Sequence, residues 1–211
     1  MSEELKKRTG IVLTKGSGIS LVKADKPLES VAVGLNWGAI NQKSFFGLFS
    51  NDVAVDLDGT VTLFDEQKRP LETVYYGSLK SSDGSVKHSG DDRSGDVGGD
   101  DGRDNEVITI DLSKISPQVS IIYIYLNSFN QFHFGEIPFT KVRVFEGDRK
   151  RVDHVLATFN LNAESGFDGK VSMVMGKLVK ENGTWKFIAI GQAIAAKDIE
   201  GTINYLKTNN L

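Results

Sequence analysis

The sequence contains no cysteine. That excludes a disulfide framework, a zinc–thiolate centre and a thiol nucleophile, and it fits a reducing compartment such as the cytoplasm. No apolar run is long enough to span a bilayer, and residues 1–15 are polar and charged, without the apolar core of a secretory leader. No basic stripe is present, which argues against nucleic acid as a partner. Histidine is scarce: His88, His133 and His154 have no paired spacing. Each reads as a surface or packed residue rather than a metal ligand. Many serines occur, but none in the setting of a nucleophile elbow.

Acid is abundant, but only in one place. The formal net charge is −3. Residues 91–106 hold seven acids and two bases, a local net of −5 that leaves the rest of the chain at +2. A nearly neutral body therefore carries one intensely acidic loop.

The body reads as strands. Within residues 30–37, Val31, Val33, Leu35 and Trp37 alternate with Ala32, Gly34 and Asn36, the period of a strand. Val53, Val55 and Leu57 repeat that period and predict a strand ending at Asp56 and Asp58, whose side chains share a side. Residues 60–64, 106–112, 119–126 and 140–145 are rich in β-branched and aromatic residues. The near-continuous apolar run 119–126 predicts burial on both faces. Residues 170–180 and 184–192 flank Asn182-Gly183, a strong hairpin signal. A short helix is expected at the C-terminus, capped by Asp198, with Ile199, Ile203 and Leu206 at helical spacing. Trp37 and Trp185 are expected in the core, and Phe129, Phe132 and Phe134 in core or sandwich-end packing rather than as a ligand platform. The expected class is all-β: one domain over residues 1–211, a β-sandwich of two sheets with a short C-terminal helix, residues 1–15 forming a tail or an edge strand. Lys6-Lys7-Arg8 is too short to argue for membrane binding and reads as a solvated tail. The Gly/Asp/Ser-rich stretch 81–105 is read as a loop rather than a linker, and a loop of that length inside a compact domain is uncommon and usually functional or disordered.

Within it, carboxylates alternate with glycines: Asp91, Asp92, Asp96, Asp100, Asp101 and Asp104, closing on Glu106. Calcium takes six to eight hard oxygen ligands in flexible geometry. Glycines allow the tight turns that bring such oxygens together. Adding Asp56 and Asp58 gives nine candidate carboxylates, enough for about two Ca²⁺ if some bind through both oxygens. The spacing is not that of an EF-hand, and the Gly98–Asp104 stretch resembles a calcium β-helix repeat but occurs once. The plainer alternative is a solvated acidic loop with no ligand.

Four segments carry a family resemblance: Asp56-Leu57-Asp58, Ser82-Asp83-Gly84, Gly90-Asp91-Asp92, and Asp104-Asn105-Glu106 leading into a strand. With Gly176-Lys177-Leu178, Trp185-Lys186-Phe187 and Ala189-Ile190-Gly191-Gln192, the sequence resembles the TerD family of bacterial tellurite-resistance and stress proteins. The resemblance runs over roughly residues 19–205. It implies a β-sandwich that binds calcium near one end, in a cytoplasmic protein of a bacterium or phage. It also implies a part in resistance to tellurite, phage or chemical stress, with other tellurite-resistance proteins in membrane-associated assemblies, and no catalytic residues. Compared with the family pattern, Gly98-Gly99-Asp100-Asp101-Gly102 is an insertion, and Gly59-Thr60 replaces the usual Ala-Ser.

A rival reading takes Asp56-Leu57-Asp58-Gly59-Thr60 as the first motif of a Mg²⁺-dependent haloacid-dehalogenase-type phosphatase, Asp56 as nucleophile and Asp58 as general acid and base. That chemistry needs a doubly wound α/β sheet, and no amphipathic helix separates Asp58 from Asp91. A third reading is a non-catalytic assembly protein whose loop only sets surface charge.

Overall fold

The structure, a computed structural model, describes residues 10–43, 50–163 and 165–211. The chain opens with short strands: β1 (Ile11–Val12), β2 (Gly18–Ser20), β3 (Val22–Lys23) and β4 (Lys26–Pro27). The long β5 (Ser30–Trp37) follows, then β6 (Ile40–Lys43), β7 (Ser50–Val53), β8 (Leu57–Phe64), β9 (Pro70–Val74) and β10 (Val86–His88). After the acidic loop come β11 (Glu106–Asp111), β12 (Ile121–Ser128), β13 (Phe139–Asp148) and β14 (Arg151–Asn162). The hairpin strands β15 (Ser172–Glu181) and β16 (Thr184–Ile194) and the helix α1 (Ile199–Thr208) end the chain. Two six-stranded sheets result. The first runs β1-β14-β13-β5-β11-β10 and the second β2-β16-β15-β12-β8-β9, while β3-β4 and β6-β7 are separate ribbons.

The sheets face each other across one core. Val31, Val33, Leu35 and Trp37 of β5 turn inward toward Ile122, Ile124 and Leu126 of β12 and Phe187 of β16. Each alternation is thus spent on one face. The other face of β12 is apolar too: Tyr123 and Tyr125 pack with Phe64, Val174 and Leu206 of α1. This double burial explains why residues 119–126 read as a continuous apolar run, although the ladder itself begins at Ile121. Asp198 caps α1, its Oδ1 accepting from Gly201 N at 2.7 Å. Asn182 and Gly183, both at positive φ, make the two-residue turn between β15 and β16.

Three expectations change. Residues 53–57 are not one strand: β7 stops at Val53, and β8 starts at Leu57. Val55 is buried between them and gives its N–H to Ser94 O at 3.0 Å, so the segment pairs with the acidic loop instead of continuing a ladder. Asp56 precedes β8 and Asp58 lies within it. The stretch 81–105 is not all loop, because β10 forms inside it. Of the three phenylalanines, Phe134 is in the core and Phe132 packs against it, but Phe129 is 60 % exposed. Trp37 and Trp185 are buried as expected. Lys6-Lys7-Arg8 lies outside the described residues. The doubly wound α/β sheet that the phosphatase reading requires is not the architecture here. No described helix is long and apolar enough to cross a membrane.

Candidate metal centre

Of the nine carboxylates singled out, the structure brings three together. Asp56, Asp58 and Asp91 each place an oxygen within 4.8 Å of the others. Asp58 lies in β8 of the second sheet and Asp56 just before it. Asp91 comes from the loop after β10 in the first, so the cluster spans the mouth between the sheets. Asp58 sits opposite Asn127 of β12, and Phe129 N donates to Asp56 O at 3.0 Å, which fixes the backbone on that side.

The electrostatics are unfavourable without a counterion. Burial pushes the Asp58 carboxyl up to about 7, and the neighbouring Asp56, Glu106 and Asp91 add to the effect. Asp56 is raised by burial and then by Asp91. Its Oδ1 is buried without a hydrogen-bond partner. Asp91 pairs with Arg93 Nε at 2.8 Å, but Arg93 is largely in solvent, so a stronger cation can displace it.

These features fit a hard cation. Oxygens sharing one calcium at about 2.4 Å lie within about 5 Å of each other. The observed cluster meets that limit, offers oxygen donors alone and includes an acceptor with nothing to accept from. Asp56, Asp58 and Asp91 are the residues that could hold the ion.

The other six carboxylates have partners within the loop or on neighbouring strands. Asp92 Oδ1 accepts from Ser94 N at 3.0 Å and Gly95 N at 3.1 Å, closing a turn. Asp96 Oδ2 accepts from Asp101 N and its Oδ1 from Asn105 Nδ2, at 3.0 and 3.1 Å. Asp101 Oδ1 accepts from Arg103 N at 2.8 Å. Asp100 pairs with Lys141 and accepts from Asn36 Nδ2 at 3.0 Å. Asp104 pairs with Arg143 Nη2 at 2.6 Å and lies over Gly34 of β5, where a Cβ would collide with its carboxylate. Burial still raises the Asp104 carboxyl, against the pull of the guanidinium.

Glu106, wholly buried, meets Gly59 N at 2.8 Å and His88 Nε2 at 3.2 Å through Oε2, and Asp92 N at 3.2 Å through Oε1. Burial raises this carboxyl even though the hydrogen bond from His88 lowers it. Sequence reasoning missed the counter-charges Lys141 and Arg143. Their signal was two bases at strand spacing in an otherwise apolar run. It also gave His88 no part in the site.

The TerD domain, as a sequence profile, matches residues 9–205. A tellurium resistance protein TerZ of Serratia marcescens is 30 % identical over 191 residues, covering 90 % of this chain and 93 % of that one. Stress response protein SCP2 of Bacillus subtilis (strain 168) is 28 % identical over 205 residues, covering 92 % and 98 %. A solved homologue of telluride resistance protein (TerD) from Streptomyces coelicolor A3(2) superposes with a TM-score of 0.61 at 19 % identity, covering 82 % of this chain and 94 % of that one.

Proposed function

Because the chain belongs to the TerD family, we propose that it is a calcium-binding stress-response protein that acts by binding rather than by turnover. Its relatives carry tellurium-resistance and stress-response names, and resistance to tellurite or chemical stress is the role we assign to this chain. Its proposed setting is the cytoplasm, with other tellurite-resistance proteins in membrane-associated assemblies as partners.

The observation that carries the calcium reading is the Asp56–Asp58–Asp91 cluster, with the unpartnered Oδ1 of Asp56 inside it. Calcium suits it better than magnesium, which demands a tighter octahedron and sheds water reluctantly. One ion is the number this cluster supports. A second, in the loop, would have to displace Lys141 and Arg143 from Asp100 and Asp104.

Calorimetric titration of chelator-treated protein tests the reading. Ca²⁺ is expected to bind, Mg²⁺ to bind more weakly, and Asp58→Asn and Asp91→Asn each to weaken Ca²⁺ without unfolding the metal-free protein. Parent-like calcium binding by both variants would remove the ligand assignment. Mg²⁺-dependent phosphate release that Asp56→Asn abolishes would replace binding with catalysis.

A further inference from the structure

We infer that His88 and Glu106 form a buried positioning pair for the cation site, holding the backbone beside its carboxylates, and that Glu106 gives no oxygen to the ion. The inference rests on the calcium reading above and assigns these two residues a part in it.

Both backbone polar groups of Gly59 are taken by this pair. Gly59 N donates to Glu106 Oε2 at 2.8 Å, and Gly59 O meets His88 Nε2 at 3.0 Å. Gly59 directly follows Asp58. In the loop that leaves β10 of the other sheet, Gly90 N donates to His88 Nδ1 at 3.1 Å, and Asp92 N donates to Glu106 Oε1 at 3.2 Å. Gly90 and Asp92 flank Asp91. The pair thus holds the chain next to Asp58 and on both sides of Asp91. These segments come from different sheets and meet at one imidazole and one carboxylate.

The chemistry fixes the roles. Because Nδ1 accepts from Gly90, the ring proton resides on Nε2, which donates to Gly59 O and to Glu106 Oε2. Both side chains have no solvent exposure. Glu106 lies outside the group of carboxylates that converge within 4.8 Å, and each of its oxygens already accepts a hydrogen bond. Gly59 is part of the device, since a Cβ there would collide with Glu106 Oε2. Buried hydrogen-bonding groups behind a metal site set the angle and spacing of its ligands.

The probe is Tb³⁺, a hard oxygen-seeking ion, with Ca²⁺ as competitor. Affinity and the number of coordinated waters, from luminescence lifetimes in H₂O and D₂O, are read for full-length parent, His88→Ala, His88→Gln, Glu106→Gln and Asp58→Asn. His88→Ala is expected to weaken binding about 10- to 100-fold and to raise the water count. His88→Gln, whose amide N–H can stand where Nε2–H stood, is expected to recover most of both. Glu106→Gln keeps an oxygen for Gly59 N and His88, so it is expected to weaken binding less than Asp58→Asn does.

The inference is overturned if His88→Ala binds with parent affinity and parent water count, or if Gln rescues no better than Ala. It is equally overturned if Glu106→Gln costs as much as Asp58→Asn, because Glu106 would then be a ligand. If the parent itself binds neither ion, the calcium reading falls and takes the pair's role with it. Parent binding with an indifferent His88→Ala removes the pair's role alone.

Discussion

Asp104 and Asp58 are both buried acids at the same end of the sandwich, and they meet opposite neighbours. Asp104 lies over Gly34 with the Arg143 guanidinium at 2.6 Å, and Asp100 beside it pairs with Lys141. The fold supplies its own cations there. Asp58 faces Asp56, Asp91 and Glu106, all of its own sign, and its carboxyl is pushed up to about 7. A sequence of evenly acidic appearance is thus divided by the fold into a part that holds half-buried cations of its own, Lys141 and Arg143, and a part whose one paired base, Arg93, lies in solvent. The lesson concerns charge runs in general: ligand carboxylates are recognised less by their number than by the cations they lack.

Four measurements press on that division, taken from the largest expected effect down. Arg143→Ala leaves Asp104 buried without its partner and is expected to cost about 3 kcal/mol in urea denaturation, with or without calcium. A loss that calcium restores would mean that Asp104 belongs to the ion site. Calcium at a hundredfold excess over its dissociation constant is expected to stabilise the parent by about 2.7 kcal/mol, reversed by chelator, and to leave Asp58→Asn much less affected. Unchanged melting of the parent would remove the asymmetry altogether.

The third measurement is pH. The folded pKa of Asp58 lies above its ordinary value of 3.8, so the metal-free folded state holds the proton more tightly than the unfolded chain. Its stabilising effect is complete below that ordinary value and disappears as pH rises through about 7. Metal-free parent is therefore expected to lose stability relative to Asp58→Asn over that window, while calcium affinity strengthens over the same rise. Parallel stability curves for the two proteins would place Asp58 in an ordinary solvated setting. The smallest effect is expected at Lys141, whose pair with Asp100 is partly in solvent. Lys141→Ala should change stability by at most about 0.5 kcal/mol and leave calcium binding unaltered.

The sequence carried the architecture further than the site. The alternation of residues 30–37, the Asn182-Gly183 turn and the Asp198 cap are local signals, and each appears in the structure as expected. The break between β7 and β8 was not legible. Val53, Val55 and Leu57 keep strand period through it, because Val55 is buried against the acidic loop and not within a ladder. At the site, Asp56, Asp58 and Asp91 were all candidates, but so were six others, and spacing could not rank them. The ranking depends on where Lys141 and Arg143 fall, some forty residues further on in the chain. It also depends on the backbone groups of Gly59, Gly90 and Asp92, which have no side-chain signature. Charge partners joined only by tertiary structure are invisible to a pattern read along the chain.

The segment that holds β1 and β2 lies at the margin of both sheets, β1 against β14 and β2 against β16. Those two neighbours are among the longest strands in the molecule, at 12 and 11 residues. Without the segment, Ala157 and Thr158 of β14 and Lys186, Phe187 and Ile188 of β16 would lose their partners and lengthen the unpaired edge, the template on which strands of separate molecules add to one another. Deletion of residues 11–20 is therefore expected to appear first as aggregation in light scattering, before much of the core is lost. One short stretch of chain shields part of two edges at once.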